Sequence, residues 1–297
     1  MAVSGILNLD KPAGWTSFDV VRFVRGRCGE RRVGHAGTLD PAATGVLPVL
    51  IGQSTRLVEY LVDATKAYEA TIELGVATDT YDGEGDVTAR ADASGVSREQ
   101  VEAALEAFRG DFLQVPPAYS ALKRDGVPLY KRARRGETVE LEPRPVRVYQ
   151  LYITQWEPPS LSLHVECAKG FYVRSLAHDL GVTLGAGGML SGLRRSRVGA
   201  FRVEDAVGLE ELRADFEAGD WQRHLFAPDE VLLHWRAAIL REENAARLRN
   251  GQHVRFEPVG KPDEGDGLCR AYSTDGNFLG IARVSEGKAL VPEKMLG

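Results

Sequence analysis

The run Gly34-His35-Ala36-Gly37-Thr38-Leu39-Asp40-Pro41-Ala42-Ala43-Thr44-Gly45 concentrates residue types that do chemistry. A histidine lies between two glycines, and the proline after Asp40 pushes that residue toward extended backbone. Two uses of the carboxylate compete. Physics alone favours Asp40 as the N-cap of a helix with Pro41 in its first position. The other use keeps the cap geometry but turns the carboxylate into a cleft beside His35 and the Arg31/Arg32 pair, where it could act as a nucleophile or hold charge.

Other chemistry-bearing clusters carry less. Cys28, Cys167 and Cys269 lie more than 100 residues apart, so no pair has the spacing of a zinc knuckle or a redox motif, and three packed, reduced thiols are expected. No His/Cys/carboxylate run has metal-ligand spacing, so no metal is expected. The acids Asp79, Asp82, Glu84 and Asp86 alternate with small residues, but the twelfth position of a calcium loop starting at Asp79 is Arg90, which leaves a solvated acidic loop as the expectation. Gly181 to Gly188 lacks both GxGxxG and the Lys-Ser/Thr of a phosphate loop and reads as a turn.

The elements that must position these residues follow from periodicity. Ser17 can cap a helix carrying Phe18, Val21 and Val24, and Ser97 with Gln100 forms a capping box for a helix whose buried stripe is Val101, Ala104, Leu105 and Phe108, stopped by Gly110. A further helix is expected from Arg174 to Leu180. Leu161, Leu163, Val165 and Cys167 mark one face of a strand; Tyr149, Leu151 and Ile153 mark one face of another. Strands and helices alternate without a βαβ rhythm, so the fold class expected is α+β, a mostly antiparallel central sheet with flanking helices. Periodicity breaks between 220 and 232. Beyond it come a short helix near 242–250, strands around Val254-Phe256, Phe278-Val284 and Ala289-Val291, and an acidic turn from Lys261 to Gly267. The expected domains are therefore 1–230 and a small β-rich unit, 231–297.

The 297 residues carry 37 Lys and Arg against 42 Asp and Glu, a net −5 that on average argues against an anionic partner. The average conceals a contrast. Residues 22–32, 123–147 and 169–197 together hold eighteen basic against six acidic residues, which permits one basic face on an acidic body. No apolar run reaches the roughly 18 residues of a membrane helix, and no basic segment leads into an apolar core at the start; a cytoplasmic protein is expected.

Gly34 to Pro48 (GHAGTLDPAATGVLP) resembles the signature of the TruB family of tRNA pseudouridine synthases. Four further blocks agree in order: Gly5 to Ser17 (GILNLDKPAGWTS), Lys66-Ala67-Tyr68, Val115 to Lys123 (VPPAYSALK) and Lys169 to Leu176 (KGFYVRSL). The resemblance implies a pseudouridine synthase fold followed by a PUA-like RNA-binding tail. It implies conversion of uridine 55 in the tRNA T arm, with no cofactor and no obligate protein partner. Residue by residue, Asp40 matches the catalytic aspartate, Arg174 the arginine that pairs with it, and Tyr68 the tyrosine that stacks on the target base. Tyr172 and Leu193 match positions lining the uracil pocket. His35 matches the residue associated with the space vacated by the flipped base, and Lys11 with Pro12 an element supporting the active-site loop. Two rivals remain at this point: a non-catalytic protein that binds or folds structured RNA, and a glycosidase pairing Asp40 with a second acid such as Asp179.

Overall fold

In the computed structural model, residues 3–119, 123–124, 127–128, 141–255, 267–285 and 289–296 are described. The chain begins with β1 (Gly5–Lys11), α1 (Ser17–Arg25), β2 (Val33–His35), β3 (Thr44–Ile51), α2 (Val58–Asp63) and β4 (Lys66–Leu74). A hairpin of β5 (Val76–Thr78) and β6 (Val87–Arg90), α3 (Arg98–Leu105), β7 (Gly110–Gln114) and the short pair β8 (Lys123–Arg124) and β9 (Val127–Pro128) follow. Then come β10 (Arg144–Glu157), β11 (Ser160–Cys167), α4 (Val173–Thr183), β12 (Gly188–Val198), β13 (Phe201–Arg202), β14 (Val207–Gly208), α5 (Leu209–Ala218) and β15 (Leu225–Phe226).

The main sheet runs β14-β1-β3-β12-β4-β11-β10-β7, with β2, β13 and β15 attached at its sides. Its pairings are antiparallel except β1 with β14 and β3 with β12. The expected α+β class holds. Strand β3 is buried on both faces, which is why Val46 to Ile51 reads as an unbroken apolar run. Leu47, Val49 and Ile51 pack with α1 and α5, whereas Val46 and Leu50 face the opposite side with Ile6. Helices α3 and α4 cover the β4, β10, β11 and β12 part of the sheet through Val101, Leu105, Leu176 and Leu180.

Two local expectations shift. The cap of α1 is Thr16, one residue earlier than Ser17, because Thr16 and Asp19 complete a reciprocal capping box that Ser17 and Val20 cannot. The Ser97/Gln100 box forms as expected. On β10, Leu151 and Ile153 are buried but Tyr149 is exposed. A register shift between Val148 and Gln150 opposite β11 inserts one extra residue, and that reverses the phase of the alternation.

The C-terminal unit is a five-stranded sheet in the order β16 (Ala237–Leu240), β18 (Leu268–Ser273), β19 (Phe278–Ser285), β20 (Ala289–Met295), β17 (Val254–Arg255), with α6 (Glu242–Arg249) against it. Phe256 and most of the acidic turn at 261–267 lie outside the described residues. The unit is not merely appended. Val231, Leu232 and Ile281 share one apolar cluster with Ile6, Leu50 and Leu57 of the main body, and Tyr60 meets Trp235 edge to face at 5.2 Å. A chain ending at Ala227 is therefore expected to lose about 3–6 kcal/mol from the burial of Val231 and Leu232 alone. That corresponds to roughly 6–24 °C in Tm for a chain of this size. Calorimetry of the two chains checks it; equal melting would show that the seam contributes nothing. Among the described residues, no helix is long and apolar enough to cross a membrane.

Candidate active site

Residues 36–43 cross from β2 to β3 without forming a helix, so Asp40 is not an N-cap. After Pro41 the chain makes a single turn, Ala43 N–H donating to the Asp40 carbonyl at 3.1 Å, and enters β3 at once. The pull of that apolar strand into the sheet overrides the local capping signal. Gly45, at φ +100°, has no room for a side chain: a Cβ there would sit 2.2 Å from the Arg195 carbonyl.

The loop is fastened from below by the first sequence block. Gly14 N–H donates to the Pro41 carbonyl at 2.9 Å, Ser17 Oγ bonds both the N–H and the carbonyl of Leu39, and Lys11 Nζ donates to the carbonyls of Pro12, Trp15 and Pro41 at 3.0, 2.6 and 3.1 Å. Lys11 is fully buried, and burial pulls its ammonium down to about 8 against the counter-pull of Asp40.

Helix α4 delivers Arg174. Its backbone entry is set by Gln114, which accepts from the Tyr172 N–H at 2.9 Å and donates to the Tyr172 carbonyl at 3.0 Å. Arg174 grips Asp40 in a fork, Nε to Oδ2 at 3.0 Å and Nη2 to Oδ1 at 3.3 Å. The same guanidinium reaches the Tyr119 carbonyl at 2.9 Å, the Thr80 carbonyl at 3.4 Å and Asp82 Oδ2 at 3.4 Å. The Arg174 side chain is 8% exposed but Asp40 keeps 39%, so the carboxylate is held from behind by a buried cation and remains open in front. Burial, reinforced by the Asp82 charge, raises the Asp40 pKa above the ordinary 3.8, while Arg174 and Lys11 oppose the rise.

Asp79, Glu84 and Asp86 are exposed, as expected of a solvated acidic loop, but Asp82 is not. Its carboxylate, 13% exposed, accepts from Thr80 Oγ1 at 2.6 Å and the Glu84 N–H at 3.1 Å, and its backbone bridges to Leu190. Neighbouring Tyr81 takes φ 65° and stacks on His178 at 3.9 Å. The available signal was Thr78-Asp79-Thr80-Tyr81-Asp82, dense in short side chains that bond their own backbone and so build a loop.

Tyr68 on β4 and Leu193 on β12 belong to one apolar cluster with Leu39 and Ala43 of the Asp40 loop. Tyr68 is 8% exposed. Tyr172 is half-buried at the start of α4. His35, at the end of β2, has a buried Nδ1 with no hydrogen-bond partner among the described residues, and burial together with the Arg195 charge lowers its pKa, which favours the neutral imidazole. Sequence reasoning missed Arg195, counted only as part of a basic stretch; it is 1% exposed. It also missed Gln114. Asp179 belongs to α4 with its carboxyl pKa raised by burial, and no ion pair links it to Asp40.

The three cysteines are buried and free, and burial pushes the Cys167 thiol up to about 12. Folding does bring together one cluster that spacing did not flag, Glu211, Asp215 and His224. Its central acceptor, Asp215 Oδ2, already takes His224 Nε2 at 2.6 Å and Arg223 Nη2 at 2.9 Å.

A buried arginine presenting an open carboxylate, beside a tyrosine and on a mostly antiparallel mixed sheet, places this chain among the pseudouridine synthases by comparison with known proteins. Residues 25–173 match the model of the TruB family pseudouridylate synthase N-terminal domain, residues 174–234 that of the tRNA pseudouridylate synthase B C-terminal domain, and residues 237–296 that of the pseudouridine synthase II TruB C-terminal region. A tRNA pseudouridine synthase B of Stutzerimonas stutzeri (strain A1501) is 46% identical over 297 residues, covering 99% of this chain and 96% of the relative. One of Dehalococcoides mccartyi (strain ATCC BAA-2100 / JCM 16839 / KCTC 5957 / BAV1) is 42% identical over 279 residues, covering 94% and 92%. A chain from the crystal structure of a Cbf5-Nop10-Gar1 complex superposes with a TM-score of 0.73 at 25% identity, covering 98% of this chain and 84% of that one. The chain belongs to the TruB family of pseudouridylate synthases, a family of isomerising enzymes.

Proposed function

We propose that this protein converts uridine 55 in the T arm of tRNA to pseudouridine, with residues 1–230 as the catalytic unit and 231–297 as a PUA-like RNA-binding unit. The observation that carries the reading is the forked Arg174–Asp40 pair, buried on the arginine side and open on the carboxylate side. The reaction breaks N1–C1′, turns the uracil and joins C5 to C1′; C5 loses a proton and N1 gains one, so the change is an isomerisation with no redox step. Addition of the carboxylate to C6, addition to C1′, and removal of a sugar proton after cleavage all require an ionised Asp40 beside the glycosidic bond. Arg174 opposes the rise in the Asp40 pKa that burial causes and so favours the ionised form. A stacked uridine cannot reach such a site, so it must be flipped. Tyr68 stacks on the flipped base, Tyr172 and Leu193 line its pocket, His35 faces the vacated space, and Lys11 holds the loop. With tRNA as substrate, the enzyme works in the cytoplasm.

The test is incubation with unmodified tRNA transcript followed by carbodiimide-dependent primer extension. A stop at position 55, absent when that uridine is changed to cytidine, is expected. Binding without a stop would return the chain to the RNA-binding rival, and released uracil to the glycosidase.

Part of the basic character is either buried or already paired with a carboxylate. Arg174 and Arg195 are buried, Arg197 pairs with Glu166 at 2.7 Å, and Arg147 pairs with Asp111. The phosphate contacts then fall to residues such as Lys131, Arg132, Arg134 and Arg135, which lie outside the described residues. Neutralising all four is expected to weaken tRNA binding and flatten the slope of log affinity against log salt by about 3, since each phosphate contact contributes roughly 0.7–0.9. An unchanged slope would return these four side chains to a solvated face away from RNA.

A further inference from the structure

Arg195 is a buried cation with no carboxylate partner among the described residues, an arrangement that is destabilising unless its neighbours are arranged for it. Three features fix those neighbours. Arg195 Nε donates to the Val46 carbonyl at 2.8 Å and Nη2 to the Gly37 carbonyl at 3.0 Å. In the ladder between β12 and β4, Arg195 stands directly opposite Tyr68, which sets the two side chains beside each other on one face of the sheet. On the other side, in the parallel ladder, it stands opposite Gly45, whose missing side chain admits the Arg195 backbone.

Gly37 and Val46 are the two shoulders of the loop that carries Asp40, and Tyr68 is the residue read above as the stacking wall. We propose that Arg195 is a positioning residue: one buried guanidinium fixes both shoulders of the Asp40 loop in register with Tyr68, so that carboxylate and base platform keep one separation. The inference rests on the proposed reaction, which needs that separation. A lysine could not replace the arginine, because its single ammonium cannot span the Val46 and Gly37 carbonyls as a planar fork does. An alkyl side chain of similar length would leave the carbonyl bonds unmade.

The experiment uses the full chain with Arg195→Lys, Tyr68→Phe and the double variant. In Arg195→Lys the single-turnover rate is expected to fall about 100-fold, the scale of an ångström-sized misplacement in an active site. Its tRNA affinity should stay within about threefold, because the side chain is buried away from the surface that RNA can reach. Without tRNA, the amides of residues 37–46 should exchange about 10-fold faster, as a local loosening would produce. The double variant should be no more than about threefold slower than the slower single variant, because both changes break one connection.

An unchanged rate or unchanged exchange at 37–46 in Arg195→Lys overturns the proposal, as does rate loss matched by loss of affinity, or effects that multiply in the double variant. If Arg195→Lys fails to fold, Tyr68→Phe decides: it removes one oxygen, and faster exchange confined to 37–46 supports the link, whereas unchanged exchange overturns it. Failure of the underlying reading looks different. Wild-type protein would then leave tRNA unmodified, and the exchange measurement would still report whether Arg195 holds the loop.

Discussion

Asp40→Asn is expected to abolish pseudouridine formation, lowering the single-turnover rate by at least about 10⁴-fold, the scale seen when a group central to a covalent mechanism is removed. The amide keeps the size of the carboxylate and can still accept from Arg174, so the loop and the tRNA surface should be undisturbed and affinity should stay within about threefold. Stability supplies a control with a definite sign. The folded-state pKa of Asp40 is raised by burial, so carrying its charge at neutral pH works against folding, and that penalty disappears as pH falls through the folded value. Asp40→Asn should therefore melt no lower than the parent at pH 7. In the parent, activity should fall on the acid side along a limb lying above the ordinary carboxylate value of 3.8. Activity of the variant within about 100-fold of the parent would remove Asp40 from the reaction, because no route through its charge tolerates an amide at that level.

The legible and illegible parts of this molecule divide by the range of the forces involved. Local signals were readable: the Ser97/Gln100 box and the alternation of Leu161 to Cys167 both depend on neighbours a few residues away. Where a long-range pairing opposed a local preference, the local reading failed. Asp40 carries a cap signal, but β3 takes the chain into a sheet before a helix can start. Tyr149 alternates correctly on paper, and only the pairing with β11 reveals the extra residue. The site shows the same division. Asp40, Tyr68 and Arg174 were found through ordered motif blocks, whereas Asp82 and Arg195 sit in segments whose composition describes an acidic loop and a basic stretch. Their burial comes from Arg174, 92 residues away from one, and from Gly37 and Val46 beneath the other. One-dimensional charge counting placed both on the surface.

Arg174 provides the second large effect, and its two carboxylate partners make the outcome directional. In Arg174→Met, Asp40 and Asp82 lose the cation between them, and the carbonyls of Thr80 and Tyr119 lose a donor. Removing one member of a buried charge network costs about 3–5 kcal/mol. That corresponds to roughly 6–20 °C in Tm for a chain of this size. Because Arg174 lowers the Asp40 pKa, its loss should move the acid limb of kcat/KM to higher pH and reduce the rate even at neutral pH. Asp82→Asn should move that limb the opposite way, since the Asp82 charge raises the Asp40 pKa, and should slow the reaction because Arg174 loses an anchor. Arg174→Lys retains charge without the fork, so its rate should drop by about 10²–10³ while its stability stays closer to the parent than that of the methionine variant. Titrating the three variants across the acid range separates electrostatic tuning from simple damage: a general loss of structure would lower every rate without moving the limbs apart. If Arg174→Met and Asp82→Asn shift the limb in the same direction, the Asp40–Arg174–Asp82 network does not set the charge of the Asp40 carboxylate.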